Sequence, residues 1–419
     1  MAALGKPPPP WLFALTGVPY GVGGAFVGQL MPYFAEQAGI HLKDIGWFTM
    51  LLFVPTWLQF LYAPVVDIGM SRRYWLIFVA SLAAGCFAVA AVIPLPGGLV
   101  PFLILAFIGQ MLSGLVGSCN GGLMATLIPD DQRGAAGAAY NIGNLSGGAL
   151  SAGLIILLTW LRAPKGAIAL AMVTMMIGPS IAILAIVETP FVPQAGVFRR
   201  MLKDVGGVLL TKSGITGILL CLSPVGTAAL GNAFTGMTKP YGASGWVVSV
   251  LNGPGNALLT AVGAFIGGWL CDRYSRRAMY LASGASTAIV AVVVAFCPHT
   301  TTVYVVGVGS YLFVMGFCYS AFTATVLETI GHGDAAAATK YTLFTAAGNA
   351  AIAYTDFTNT RFAPTEDKAG NLVSGNIGHV WLSDAVLNIA GVILLGLVFW
   401  KLGSWGKRRH PHEVMPNAT

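Results

Sequence analysis

Charge is what this chain has least of. Asp, Glu, Lys and Arg make up 9% of its 419 residues, against roughly 25% in an ordinary soluble domain. With 56% hydrophobic residues and a strongly positive mean hydropathy, a soluble fold is excluded, and the chain reads as an integral membrane protein. Cysteine is sparse and unpatterned. Cys86, Cys119, Cys221, Cys271, Cys297 and Cys318 show no CxxC spacing and no partnering histidine cluster, so they read as small buried side chains rather than disulfides or metal ligands. A Walker P-loop and an ATP-binding domain are missing, which excludes ATP-driven pumping. No usable GxSxG stretch is present, and no cluster of histidines or acids gathers at one membrane face, as a polytopic membrane enzyme would need. Histidine is absent from every predicted span: His41, His299, His332, His379, His410 and His412 fall in loops or the tail. A histidine proton relay and a metal site therefore have nothing to be built from, and no cofactor is expected.

The net charge of +7 could indicate nucleic acid. The basic residues, however, come in short clusters between apolar runs and form no continuous stripe, so no nucleic-acid partner is expected.

What the sequence does have is apolar runs of about 20 residues, the length a helix needs to cross the bilayer core. Twelve are legible, at about 11–34, 45–66, 74–94, 101–128, 136–160 and 167–187, then 213–236, 245–270, 278–297, 303–328, 340–361 and 381–402. The first follows Lys6 and "PPPP" and is too long and glycine-rich for a cleaved signal peptide. Residues 1–187 form one six-helix half, 188–212 a basic amphipathic linker along the membrane surface, and 213–419 a second half with a short basic tail.

Lysine and arginine set the orientation. An N-terminus in the cytoplasm puts Lys6, Arg72, Arg73, Arg133, Arg199, Arg200, Lys203, Lys212, Arg273, Arg276, Arg277, Lys340, Lys401, Lys407, Arg408 and Arg409 inside. Only Lys43, Arg162, Lys165, Lys239, Arg361 and Lys368 remain outside. The positive-inside rule favours this topology, with both termini cytoplasmic.

The halves echo each other. "YAPVVDIGMSRRYW" carries Asp67, Arg72 and Arg73 between the second and third spans. "GGWLCDRYSRRAMY" carries Asp272, Arg273, Arg276 and Arg277 between the eighth and ninth. Asp272 stands 205 positions after Asp67 (272 − 67), and Tyr341 stands 201 after Tyr140 (341 − 140). Two features at nearly one offset imply two related halves, a common plan among secondary transporters. The acid at the end of each helix can accept hydrogen bonds from a neighbouring helix N-terminus or pair with arginines. Such contacts form only when helices are close, so these loops are candidate gates. The other reading is that the arginines only anchor the topology beside lipid phosphates.

Twelve helices in two parallel halves, with an Asp–Arg–Arg loop after the second and eighth, resemble the major facilitator superfamily over essentially the whole chain. "GGWLCDRYSRR" is similar to that superfamily's loop motif; the first-half loop lacks the basic residue directly after Asp67. "GVPYGVGGAFVGQLMPYFAEQAGI", "DIGWFTMLLFVPTWLQFLYAPVVD" and "AATKYTLFTAAGN" resemble the branch that holds AmpG-type muropeptide permeases, acetyl-CoA transporters and some siderophore importers. The resemblance implies an all-α fold of two pseudo-repeated six-helix bundles in a bacterial cytoplasmic membrane, working by alternating access. It also implies that the first, fourth, seventh and tenth helices line a central cavity.

On those helices lie Gln29 and Tyr33, Gln110, Ser113 and Asn120, Asn232 and Thr235, and Tyr319 and Thr323. Neighbouring helices add Asn141, Asn144, Asn252, Asn256 and Asn349. Amides and hydroxyls at bilayer depth are costly unless paired and so are candidates for a polar pathway; equally, many can simply bond across helix interfaces. Charge is scarce. Glu36, Glu328 and Asp384 are expected near helix ends, within reach of water. Asp356 lies either within the membrane, as a proton-coupling acid, or in the first turn of an outer loop. Glu36 and Glu328 are the further coupling candidates. The expected function is proton-linked import of a polar, medium-sized solute of the muropeptide class by a single twelve-helix chain surrounded by lipid. A siderophore fits nearly as well; acetyl-CoA fits less well, because no Arg or Lys lies within the spans to meet its phosphates. A non-transporting sensor on the same fold and a membrane enzyme are the readings from other classes.

Overall fold

In hydrocarbon every backbone N–H and C=O must find its partner within the protein, and a helix does this within one segment. The computed structural model, which describes residues 8–128, 133–187, 196–330, 337–366 and 372–401, is accordingly helical almost throughout. In the first half, α1 (Leu12–Ala25) runs through a π-helical turn (Phe26–Leu30) into α2 (Met31–Gln37). Then come α3 (Leu42–Trp57) with the single turn α4 (Gln59–Tyr62), α5 (Arg72–Val92), α6 (Leu99–Leu127), α7 (Arg133–Trp160) and α8 (Lys165–Ser180). The linker contributes α9 (Val197–Leu209), whose "VFRRMLKDVGGVL" separates basic and apolar faces. The second half holds α10 (Lys212–Cys221), α11 (Gly245–Val250), a π-turn (Leu251–Gly255) leading into α12 (Asn256–Arg273), α13 (Arg276–Ala295), α14 (Thr301–Ile330), α15 (Ala337–Thr360) and α16 (Ile377–Lys401). A short antiparallel pair, β1 (Thr365–Glu366) and β2 (Leu372–Ser374), joins α15 to α16.

Among the described residues, nine helices are long and apolar enough to cross a membrane. The other three of the twelve expected spans fall short for separate reasons. The first is diluted by Gly, Pro, Tyr and Gln, and the eleventh is rich in Thr, Asn and Ala. The seventh differs from expectation more deeply. A continuous helix over 213–236 is expected, yet helix ends at Cys221, and three separate 3-10 turns follow at Ala229–Asn232, Phe234–Gly236 and Lys239–Tyr241. Pro224 has no N–H to continue the ladder. Gly226 (φ 63°) and Ala228 (φ 50°) then turn the chain left-handed, a conformation that breaks a right-handed helix. The broken segment is held by aromatic rings instead. Phe234 stacks on Trp381 at 5.5 Å and meets Tyr311 edge-on at 5.1 Å, while Tyr304 donates its hydroxyl to Phe234 O at 2.9 Å.

Successive spans alternate direction, so one end of the molecule, here the linker end, carries the turns before α5, α9 and α13. The far end carries those before α3, α6 and α16. Within halves, α1 packs on α7, α5 on α6 and α8, α12 on α14, and α13 on α16. Between halves, α3 packs on α15, and α7 packs on α11, α12 and the turn between them. These two inter-half contacts are counterparts: exchanging each helix for its repeat turns the second-with-eleventh contact into the eighth-with-fifth. Glycine makes the second contact close. A Cβ on Gly153 would stand 2.5 Å from Gly253 Cα, and Ser249 Oγ donates to Gly153 O at 2.7 Å.

Candidate functional site

The polar side chains expected to line a pathway divide by what they bond. Asn120 on α6 is fully buried and fully engaged: its Oδ1 accepts from Thr16 Oγ1 at 2.6 Å, and its Nδ2 donates to Thr16 O and Val116 O. Ser113 donates towards Pro19 O and Tyr20 O at 3.3 and 3.4 Å. Asn252 reaches Val248 O at 3.0 Å, and Asn256 accepts from Thr260 at 2.8 Å. These residues bond their own and adjacent helices. Gln29 and Gln110 behave differently. Each buries its side-chain Oε1 with no hydrogen-bond partner, and an amide oxygen left so inside a membrane is open to a donor from outside the protein. Tyr33 is buried; Asn144, Asn232, Tyr319, Thr323 and Asn349 are half-buried; Asn141 is exposed. Asn232 Oδ1 lies against Gly28, where a side chain would collide with it.

At the far end the halves are fastened together. Thr235 Oγ1 donates to Gln29 O at 2.6 Å. Glu36, at the end of α2, accepts from Thr238 Oγ1 and from Lys239 N, the latter at 2.9 Å. Lys239 Nζ donates to Glu36 O at 2.7 Å. Water was expected to reach Glu36 at a helix end, but only 4% of the residue is exposed: the broken seventh span folds over the helix end and substitutes its own donors for water. Trp47 packs on Phe357 at 5.5 Å and Trp160 on Trp246 at 6.3 Å. Beneath this cap, Trp381 donates its indole N–H to the Tyr241 hydroxyl at 2.9 Å.

At the linker end the candidate gate arginines make contacts inside their own halves. Arg72 donates to Gly122 O at 3.0 Å and Arg73 to Ile186 O at 3.4 Å. Arg277 pairs with Glu328 at 3.4 Å, and Arg273 lies 4.1 Å over the Trp269 ring. Thr325 donates its hydroxyl to Arg276 O. Glu328 is therefore at a helix end with 39% of its side chain exposed, as expected. The side chains of Asp67, Asp272, Arg133, Lys340 and Tyr341 lie outside the described residues.

The acids of the second half overturn another expectation. Asp384 was expected near a helix end in water, yet it is fully buried. The helix α16 starts at Ile377, four residues before the apolar run does, which places Asp384 two turns inside. The same early start puts His379 within a span expected to contain no histidine. Asp384 Oδ2 accepts from the Tyr311 hydroxyl at 3.0 Å and from Asn388 Nδ2 at 3.4 Å, and its Oδ1 accepts from Asn359 Nδ2 at 2.9 Å. Asn388 Oδ1 in turn accepts from Gly226 N at 3.0 Å, inside the broken segment. Asp356 lies within α15, 1% exposed, on the helix that packs against the α16 of Asp384. Its Oδ1 has no hydrogen-bond partner, and neither does Asn359 Oδ1. Sequence reading missed Asn359 and Asn388. Their signal was the spacing: 356 with 359, and 384 with 388, each repeat on one helix face.

Two buried carboxyls on adjacent helices, two buried amide oxygens without a partner, and halves fastened at one end make up the candidate site. Comparison with known proteins agrees at the level of the fold. The model of the family described as Major Facilitator Superfamily matches residues 13–354. The inward-open xylose transporter XylE from E. coli is 14% identical and superposes with a TM-score of 0.67 over 96% of this chain and 97% of its own. The nucleoside transporter NupG is 12% identical, with a TM-score of 0.65 over 93% and 98%. A POT family transporter in complex with a thioalcohol-conjugated peptide is 11% identical, with a TM-score of 0.68 over 94% and 96%.

Proposed function

The chain belongs to the Major Facilitator Superfamily, and on that premise we propose that it imports a polar, medium-sized solute of the muropeptide class, driven by the proton gradient. Membership makes it a multi-pass secondary transporter of a small molecule and sets the membrane-enzyme alternative aside. The narrower reading rests on one observation above all: Gln29 on the first span and Gln110 on the fourth hold buried amide oxygens with no partner. A sugar–peptide offers the hydroxyl and amide donors such oxygens accept. The linker end faces the cytoplasm in this reading, and the far-end cap closes the outer side. Asp356 is the coupling acid, because among the described residues it is the buried carboxyl with an oxygen left unbonded. Glu36 holds the cap, and Glu328 pairs with Arg277 at the surface.

The test is uptake by the purified chain in liposomes under an inward-acid pH gradient, with a labelled anhydromuropeptide and a ferric siderophore as rival probes. Gradient-driven uptake of the muropeptide, lost in Asp356→Asn, is the expected result. Uptake of the siderophore alone would replace the substrate class. Uptake that ignores the gradient would remove the coupling.

A further inference from the structure

Asp356, Asn359 and Asp384 are each no more than 1% exposed, yet their hydrogen bonding is lopsided. Asp384 is well supplied, with three donors directed at its carboxyl from α14, α15 and α16 itself. Those donors favour its ionised form. One helix away, Asp356 Oδ1 and Asn359 Oδ1 are acceptors with nothing to accept. The two residues are three apart on α15 and therefore neighbours on one face. Asn359 cannot turn its amide round to help, because its Nδ2 is committed to Asp384 at 2.9 Å. A proton added to Asp356 would supply a donor on a face that holds two acceptors and none to meet them.

We propose that Asp356 and Asp384 form one binding site for a single exchangeable proton, bridged by Asn359. The proton adds to a carboxylate oxygen of Asp356 and returns from it to water; no other bond is made or broken. When bound, Asp356 donates to Asn359 Oδ1 while the Asn359 amide donates to the charged Asp384. The pair then carries one negative charge instead of two, which a membrane interior tolerates far better. A metal ion in the same place would need a shell of several oxygens, and those of Asp384 are already taken by N–H and O–H donors.

The other groups facing the pair are few among the described residues. α14 presents Tyr311, bonded to Asp384, and Cys318, whose thiol lies against Thr287 and Ser283 of α13. The broken seventh span presents the Gly226 amide through Asn388. Where α3 packs on α15, Gly46 sits against Thr360 and Trp47 against Phe357; the ionisable groups of α3, Lys43 and Asp44, are in its first turn. Arg361 lies over Phe357 at 5.0 Å. The site is thus assembled from three helices of the second half and the break in a fourth. It deepens the proton-coupling reading by naming where the proton sits and which residues share it.

Infrared difference spectroscopy of the whole protein in liposomes, titrated across the physiological pH range, reads the proton directly. A carboxylic-acid C=O band is expected in the wild type, lost in Asp356→Asn, moved in frequency by Asn359→Leu, and titrating at a different pH in Asp384→Asn. A band that survives Asp356→Asn, is missing from the wild type, or titrates unchanged in Asp384→Asn overturns the site. So does a band lost when sodium is added at constant pH. Asp356→Asn also supplies the N–H that Asn359 Oδ1 lacks, so its thermal midpoint should match or exceed that of the wild type; a lower one counts against the bridge. The two readings fail separately. The expected band with gradient-independent uptake keeps the site and removes coupling, whereas gradient-driven uptake without an Asp356 band keeps coupling and removes the site.

Discussion

Glu36 and Lys239 stand 203 positions apart and are joined in both directions: the Lys239 amide donates to the Glu36 carboxylate, and the Lys239 ammonium donates to the Glu36 carbonyl. One residue comes from each half, so the pair exists only while the far end is closed. Hydrogen bonds to charged groups are each worth about 1.5–3 kcal/mol. Glu36→Ala is therefore expected to favour opening of this end by about tenfold or more. Thr235, fully buried beneath the pair, is the reporter: maleimide should label Thr235→Cys faster in the Glu36→Ala background. Equal labelling rates would show that the pair does not hold the cap.

The contact of α7 with the turn between α11 and α12 depends on a missing side chain. Gly153→Val would drive a Cβ to 2.5 Å from Gly253 Cα, and overpacking of this kind costs about 1–3 kcal/mol. Thermal unfolding in detergent should show the loss, together with reduced transport. The same change at Gly24, where an added Cβ meets no atom within 4 Å, should leave the midpoint unmoved.

Trp381 holds the broken segment twice, by stacking on Phe234 and by its bond to Tyr241. Trp381→Phe keeps the ring and removes the donor, for an expected loss of about 1 kcal/mol. Trp381→Ala removes both and should cost about 3–5 kcal/mol. Two variants of equal stability would mean that the ring contributes nothing.

Gln110 and Asn120 lie on the same helix and predict opposite signatures. Asn120→Ala strips the partners from Thr16 and should lower stability by about 1–2 kcal/mol. Gln110→Ala removes an oxygen that bonds nothing, so stability should hold within about 0.5 kcal/mol while the KM for uptake rises. A Gln110 variant that unfolds early and transports normally would reverse the assignment.

The repeated halves and most of the spans were legible because hydrophobic run length and the recurring Asp–Arg–Arg loop are properties of the chain taken piece by piece. The break in the seventh span was not, although Pro224, Gly226, Gly231 and Gly236 were all in plain view. Averaged hydropathy records whether a segment is apolar, not whether its backbone can stay helical. Asp384 was misplaced for a related reason. Its helix begins with residues that are helical without being strongly apolar, so the apolar run started late and left the acid in its first turn, within reach of water. Asn359 and Asn388 escaped notice because an amide in a helix carries no sign of its partner until the neighbouring helix is in place. Asp356 was the exception, since a lone acid inside an apolar segment is conspicuous whatever surrounds it.

The interruption after Cys221 also changes how force can travel through the molecule. A continuous helix over residues 213–236 would be a rod about 36 Å long, and a push on it from the linker would arrive undiminished at the opposite face. Here the rigid piece stops at Cys221, and the remainder is tied to α14 and α16 through its aromatic rings. The two faces of the seventh span therefore take their instructions from different neighbours. A push entering through α9 and α10 finds no continuous helix beyond Leu222 to carry it to the far-end cap.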